Sequence, residues 1–253
     1  MKHKKLLILV LLAGMVSGCS KETSKTMDSN ILKLSFRLIA NGSPLAHGTD
    51  YLNGSGETYT VSAFKFYISN ISLANTKTLR KTSVMDFYHL ANMDDPSSLE
   101  LDIPLQSGEF NQLSFSVGVD SLRNVSGAQT GALDPVNGMF WTWNTGYIFA
   151  KLEGASPFST ATGQSVVYHI GGFRSGENAI RELALDFPGD QVATLGKGKN
   201  TKIIIDVNLD QWFESINRIS ISSTPVWMTP GGESLRIADN YATMFSIRDL
   251  IIP

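Results

Sequence analysis

Leu32-Lys33-Leu34-Ser35-Phe36-Arg37-Leu38 alternates one apolar residue with one polar residue. Successive side chains of a strand point to opposite faces, so a period of two predicts a strand with one buried face and one wet face. The pattern recurs along the chain. Leu99, Leu101, Ile103 and Leu105 carry it, as do Leu113, Phe115, Val117 and Val119, and again Ile203, Ile205, Val207 and Leu209. Residues 58–73 and 84–91, and the series Leu183, Leu185, Phe187, read as further strands. Clusters of Gly, Asn, Ser and Pro at 41–44, 53–56, 94–98 and 229–234 punctuate them. One helix is predicted over 235–245, where Leu235, Ala238, Ala242 and Phe245 keep helical spacing and Ser234 stands as a cap. The expectation is a mainly β fold: an antiparallel β-sandwich or distorted barrel with long loops and one short C-terminal helix.

The N-terminus is of another kind. Lys2, His3, Lys4 and Lys5 precede a purely apolar run from Leu6 to Leu12, and small residues follow as far as Cys19. This is the layout of a secretory signal peptide over residues 1–18, too short to span a bilayer, which takes ~20 apolar residues. Its ending, Val16-Ser17-Gly18-Cys19, resembles the lipobox of bacterial lipoproteins. That resemblance implies cleavage before Cys19 and acylation of Cys19, and so an anchor in the membrane. The polar stretch 19–30 reads as a flexible tether. Residues 31–253 show no internal repeat and no later linker, so a single domain is expected there. The resulting localisation is the bacterial cell envelope, at the outer membrane, on its periplasmic or surface face.

The chain has 253 residues and a formal charge of −2, and removing a signal with three lysines and no acids leaves −5. A nucleic-acid partner is not expected of such a balance, because it demands a basic face. Cys19 is the only cysteine. Once acylated it leaves the domain without thiol or disulfide. Zinc fingers, iron–sulfur clusters, cysteine nucleophiles and cysteine-based blue-copper sites fall away with it.

Residues 138–154 are the most unusual stretch: Gly138-Met139-Phe140-Trp141-Thr142-Trp143-Asn144-Thr145-Gly146-Tyr147, followed by Ile148 to Gly154. Read as one strand, it puts Met139, Trp141, Trp143, Tyr147, Phe149, Lys151 and Glu153 on a single face, unless Gly146 marks a bulge. The long connection from Asp120 to Gly138 leads into it, and unstructured connections of that length are often functional. The domain's histidines are His47, His89 and His169. His169 is the foremost candidate ligand, at the end of an apolar run entering Gly171-Gly172, a pair that allows a tight turn or close approach. Asp120, Asn124 and Asp134 form a weaker candidate for Ca²⁺. Neither H-E-x-x-H nor C-x-x-C is present, nor a nucleophile elbow, a phosphate-binding loop or a dinucleotide fingerprint. The expectation is a binding protein and not an enzyme.

Several of these segments occur together in a known order: Phe66-Tyr67-Ile68-Ser69-Asn70-Ile71, Gly118-Val119-Asp120, Gly131 to Pro135, Gly138 to Tyr147, Lys151-Leu152-Glu153-Gly154 and His169-Ile170-Gly171-Gly172. In them the chain resembles the MbnP-like domain family, which is related to copper-binding MbnP and more distantly to MopE and CorA. The lipobox makes it look like a Bacteroidetes-type lipoprotein. The resemblance implies copper, held by histidines together with a kynurenine made from a tryptophan. It implies His169 as one ligand, Trp141 or Trp143 as the oxidised residue, and Met139 as a soft contact. It also implies a di-haem peroxidase partner that performs the oxidation, with this chain as its substrate. The relatives' tryptophan-x-histidine pair is absent here, since Trp143 follows Trp141 and Thr145 follows Trp143. A second imidazole would have to come from His47 or His89 through the fold. The other reading is a non-metal ligand-binding or protein-interaction module of the envelope that uses the aromatic strand.

Overall fold

The computed structural model describes residues 30–141, 146–196 and 201–252. The described strands are β1 (Asn30–Ala40), β2 (Ser43–Pro44), β3 (Tyr51–Leu52), β4 (Thr58–Asn75), β5 (Arg80–Ser83), β6 (Tyr88–Asn92), β7 (Glu100–Leu105), β8 (Gly108–Phe110), β9 (Gln112–Val117), β10 (Ile148–Ala155), β11 (Ser165–Gly171), β12 (Arg181–Asp186), β13 (Ala193–Leu195), β14 (Lys202–Asn208), β15 (Val226–Trp227) and β16 (Phe245–Ile251). The helices are α1 (Ser121–Val125), α2 (Asp210–Phe213) and α3 (Glu233–Tyr241).

One sheet runs β16-β14-β1-β2, with β7 on the stretch of β1 that β2 leaves open. The second runs β12-β9-β4-β10-β11-β15, with β3, β5 and β6 joining it along β4, and β8 pairs with β13 in a third, two-stranded sheet. The mainly β expectation holds. Pairing is antiparallel except for β1 with β14 and β11 with β15. The alternating residues fall where the period placed them: Leu32, Leu34, Phe36 and Leu38 are buried, opposite Ile203, Ile205 and Val207 in register.

Aromatic side chains join the two sheets. Phe66 of β4 meets Phe36 of β1 edge-on at 5.9 Å and Phe245 of β16 at 5.5 Å, and Phe115 of β9 meets Phe245 at 5.3 Å. Such pairs add ~0.5–1.5 kcal/mol each beyond the burial of their area. At one end, Trp212 of α2 packs against Phe64, Tyr168 and Tyr241.

Two predicted elements differ. The helix spans Glu233–Tyr241, so Phe245 does not continue its face but opens β16 and enters the inter-sheet core. Ser234 lies inside the helix and donates to the Thr229 carbonyl, while Gly232 takes the cap position. The aromatic run is not one strand. Phe140 bridges antiparallel to Tyr147, the Trp141 N–H bonds the Gly146 carbonyl, and the Ile148 N–H bonds the Met139 carbonyl. Residues 139–141 therefore lie back against 146–148, and β10 begins only at Ile148. Tyr147 shares a face with Phe140, at 5.1 Å between rings, and not with Trp141.

β4 carries the strands that frame this corner. Along one side, Thr60–Phe66 pair with β10 and Ile68–Ala74 with β9. Its register shifts near Asn70, which sits at φ 54, a left-handed conformation that Asn tolerates better than most residues. Where β9 and β10 part, the connection emerges, and its described residues 118–141 fold over the outer face of the sheet. Tyr67 and Tyr147 fix it there by donating to the carbonyls of Ala132 and Leu133.

Candidate functional site

Lys65 of β4, Lys151 of β10 and His169 of β11 lie opposite one another in a single row. Tyr168 and Ile170 point into the core, so His169 stands on the outer face. Glu153, two residues beyond Lys151, lies on that same face. It receives the His169 Nε2 at 2.7 Å and the Lys151 ammonium at 3.5 Å. The hydrogen bond from His169 holds the Glu153 carboxyl down at about 2, against the opposing pull of burial, and the Lys151 charge assists. An ionised carboxylate only accepts, so Nε2 carries the proton and the lone pair of the neutral ring is at Nδ1. Glu153 was not a candidate on sequence grounds. The one signal was its place two residues past Lys151 in an alternating segment that pairs with the histidine strand.

Trp141 reaches the same face from the side. A Cβ at Gly171 would lie 2.9 Å from the Trp141 ring and would run into the Tyr147 carbonyl. At Gly172, φ 124, it would strike the Glu177 carbonyl and come within 3.0 Å of Pro230. The paired glycines thus give the close approach expected of them: the indole rests on bare backbone at Gly171. Gly171 is two residues from His169 on one strand face, a separation of ~7 Å. Trp141 is only 4 % exposed. Beside it opens a cleft lined by Asn124, Tyr147, Phe173, Arg174, Glu177 and Pro230, with a volume of about 10 Å³. That is the room of about one water molecule.

The other candidates are not brought to this corner. His89 pairs with Ile68 of β4 and so shares the core-facing parity of Phe64, Phe66 and Ile68, opposite to that of Lys65 and His169. Its Nε2 bonds the Ser98 carbonyl at 2.6 Å, and burial pushes it below the usual imidazole range. His47 is exposed and pairs with Asp94 at 2.7 Å, beside the turn that follows β6. Met139 is fully buried. Trp143 and Cys19 lie outside the described residues.

The three oxygen-bearing candidates of the long connection have local structural roles. Asp120 caps α1 through the Arg123 N–H and accepts from Tyr88, and Asp134 caps the turn at Val136. Asn124 is fully buried. It donates to the carbonyls of Val119 and Asp120 and accepts the Tyr147 N–H. Both Asp120 oxygens, the Asn124 oxygen and one Asp134 oxygen thus engage local backbone or a phenol, and these bonds hold the outer layer together. Among the described residues no three His, Cys, Asp or Glu side chains gather as a metal-binding group.

Among curated proteins, none matches the chain significantly in sequence. Among solved structures, MbnP from Methylosinus trichosporium is similar in fold, with a TM-score of 0.52 at 16 % identity over 75 % of this chain and 79 % of that one. The profile of the MbnP family matches residues 29–229, which include β4, the 118–147 connection, the Lys151–Glu153 segment and the His169–Gly172 motif. On that match over most of its length, this chain belongs to the MbnP family.

Proposed function

We propose that this protein is a lipid-anchored component of the bacterial envelope that handles copper where Trp141 covers Gly171 beside His169. The observation that carries the reading is the His169–Glu153 pair. A metal-binding histidine commonly gives its other ring N–H to a carboxylate, which fixes the ring and raises its basicity. His169 does this through Nε2 and keeps Nδ1 for an ion. Imidazole is a suitable ligand for copper.

The described residues do not by themselves close a site for a resident ion. They supply one imidazole, His47 and His89 stand elsewhere, and an indole has no lone pair to give. Copper in this reading is cargo, and a further donor is required. A kynurenine formed from Trp141 or Trp143 meets the requirement, because its aryl amine has the lone pair that the indole lacks. The chain is then the substrate of a partner oxidase such as a di-haem peroxidase, and not itself an enzyme. A sugar ring stacked on Trp141 has no support in the geometry, since the indole is buried and its cleft holds about one water.

The test uses protein isolated from its native host. Intact-mass and peptide mapping should find it in the membrane fraction, acylated at Cys19, with one of the two tryptophans converted to kynurenine. Titration with Cu(I) and Cu(II) should show one copper bound per chain. His169→Ala should abolish that binding, and Glu153→Gln should weaken it by about 10–100-fold. Unmodified tryptophans together with no copper uptake overturn the reading.

A further inference from the structure

The outer face of the second sheet is covered on one half by residues 118–141 and open on the other. On the open half, Ala184 of β12, Ser114 of β9, Ser72 of β4 and Ser83 of β5 stand opposite one another in register across four strands. The next rank along β9 is Ser116, opposite Glu182. Their strand neighbours Leu113, Phe115 and Val117 point into the core. Side chains this small leave a trough of about 450 Å³, within the ~300–1,000 Å³ common for ligand sites.

The hydroxyls on its floor are what set it apart from an ordinary solvated face. Ser72 and Ser116 are 4 % and 5 % exposed, yet their hydroxyls form no hydrogen bond with any described residue. Ser69, one rank away and also buried, does find a partner in the Gly118 carbonyl. Both hydroxyls line the trough and stay open to it, so they are met by water or by a molecule that displaces water. The Asn70 carboxamide, held at the left-handed bend of β4, faces the same space without a partner among the described residues. Each serine offers one donor and two acceptor positions, and the carboxamide offers both kinds. Lys81 and Glu182 stand on the rim with opposite charges that balance. Met85, 69 % exposed, adds an apolar edge.

We propose that this serine-floored trough binds a neutral oligosaccharide. Sugar hydroxyls both donate and accept, as the floor does, and they replace water at the buried serines without bringing charge. Three strand spacings give a length of ~14 Å across the sheet, enough for about three rings. The exposed Met85 thioether packs against ring C–H groups. An extended peptide that adds to a sheet does so through the backbone groups of an edge strand, which this face does not offer.

Backbone NMR of the acylation-free mature chain tests this. It is titrated with neutral gluco-, manno- and N-acetylglucosamine oligomers, with a uronic acid oligomer, and with an uncharged Ser/Gly peptide. At least one neutral oligomer should shift resonances confined to β4, β5, β9 and β12. Ser72→Val and Ser116→Val should each weaken that binding by about tenfold, and Glu182→Gln should change it less than about twofold. Ser114→Val, at a half-exposed position, serves if a buried replacement fails to fold. The proposal is overturned if no neutral oligomer shifts the trough at millimolar concentration, or if the valine variants bind as well as the parent. Preference for the uronic oligomer or for the peptide overturns it equally, as do shifts centred on Trp141.

Discussion

Glu57 is a buried acid, 4 % exposed, that holds two distant pieces of chain together. Its carboxylate accepts the Ile221 N–H at 2.6 Å, the Ser222 N–H at 2.9 Å, the Ser220 hydroxyl at 2.9 Å and the Asn53 carboxamide at 2.8 Å. Burial alone would raise its pKa. The hydrogen bonds from Ser222, Asn53 and Ile221 outweigh burial and hold it at about 2. A carboxyl depressed below its unfolded value of 4.5 gives stability that is complete above 4.5 and lost as pH falls through 2. The shift corresponds to about 3 kcal/mol. Glu57→Gln keeps the shape but turns an amide donor toward four donors. Urea unfolding should show the variant less stable by about 2–4 kcal/mol at pH 7, with the difference closing toward pH 2. A gap that stays constant across that range shows that the carboxylate charge is not what the 220–222 turn grips. Glu153 is held down comparably, but its side chain is 35 % exposed, so solvent screening makes its contribution to stability smaller.

At the scale of elements, strands such as β1 and β7 were legible because apolar and polar residues alternate along them. Lys33, Ser35 and Arg37 mark the outer side of β1 as plainly as Leu32, Leu34 and Phe36 mark the inner. The corner at Trp141 was legible only in part. His169 and the two glycines could be read as a place of close approach, and they are one. Strand parity failed for 139–141 because these residues pair back against 146–148, and such pairing is a property of the fold and not of residue period. Glu153 was hidden because its partner comes from the next strand, and cross-strand register is a property of the sheet. The outer layer was hidden for a similar reason. It is fastened by single polar groups at positions with no period, chiefly Asn124, whose three hydrogen bonds tie α1 to the start of β10. Asn124→Ala leaves the Tyr147 N–H and two carbonyls without that partner. Hydrogen exchange should show the Tyr147 amide and residues 118–141 opening more easily by about 2–4 kcal/mol, with β1 and β14 unchanged. Equal loss of protection in β1 would mean that the layer is part of the cooperative core and not a separable cover over the site.

For the molecule as a whole, the segment matched to the MbnP family stops at residue 229, but the core does not. α3 and β16 follow. Tyr241 stands against Trp212, its hydroxyl donates to the Ala179 carbonyl, and Phe245 fills the space between Phe66 and Phe115. β16 also covers the edge of β14, whose inner partner β1 is the centre of the first sheet. A chain ended at Thr229 would therefore lose three things at once. Both sheets lose the aromatic ring they share, Trp212 loses a neighbour, and β14 becomes a bare apolar edge able to pair with another chain. Phe245→Ala removes only the first of these and should cost about 3–5 kcal/mol while unfolding stays cooperative. The shortened chain should lose near-ultraviolet circular dichroism, bind a hydrophobic dye and show no single thermal transition, which are the marks of collapsed chain without fixed packing. If it instead melts in one step near the temperature of the full chain, the two sheets are held by β1, β4 and β9 alone, and the C-terminal strand is an addition to a domain already complete.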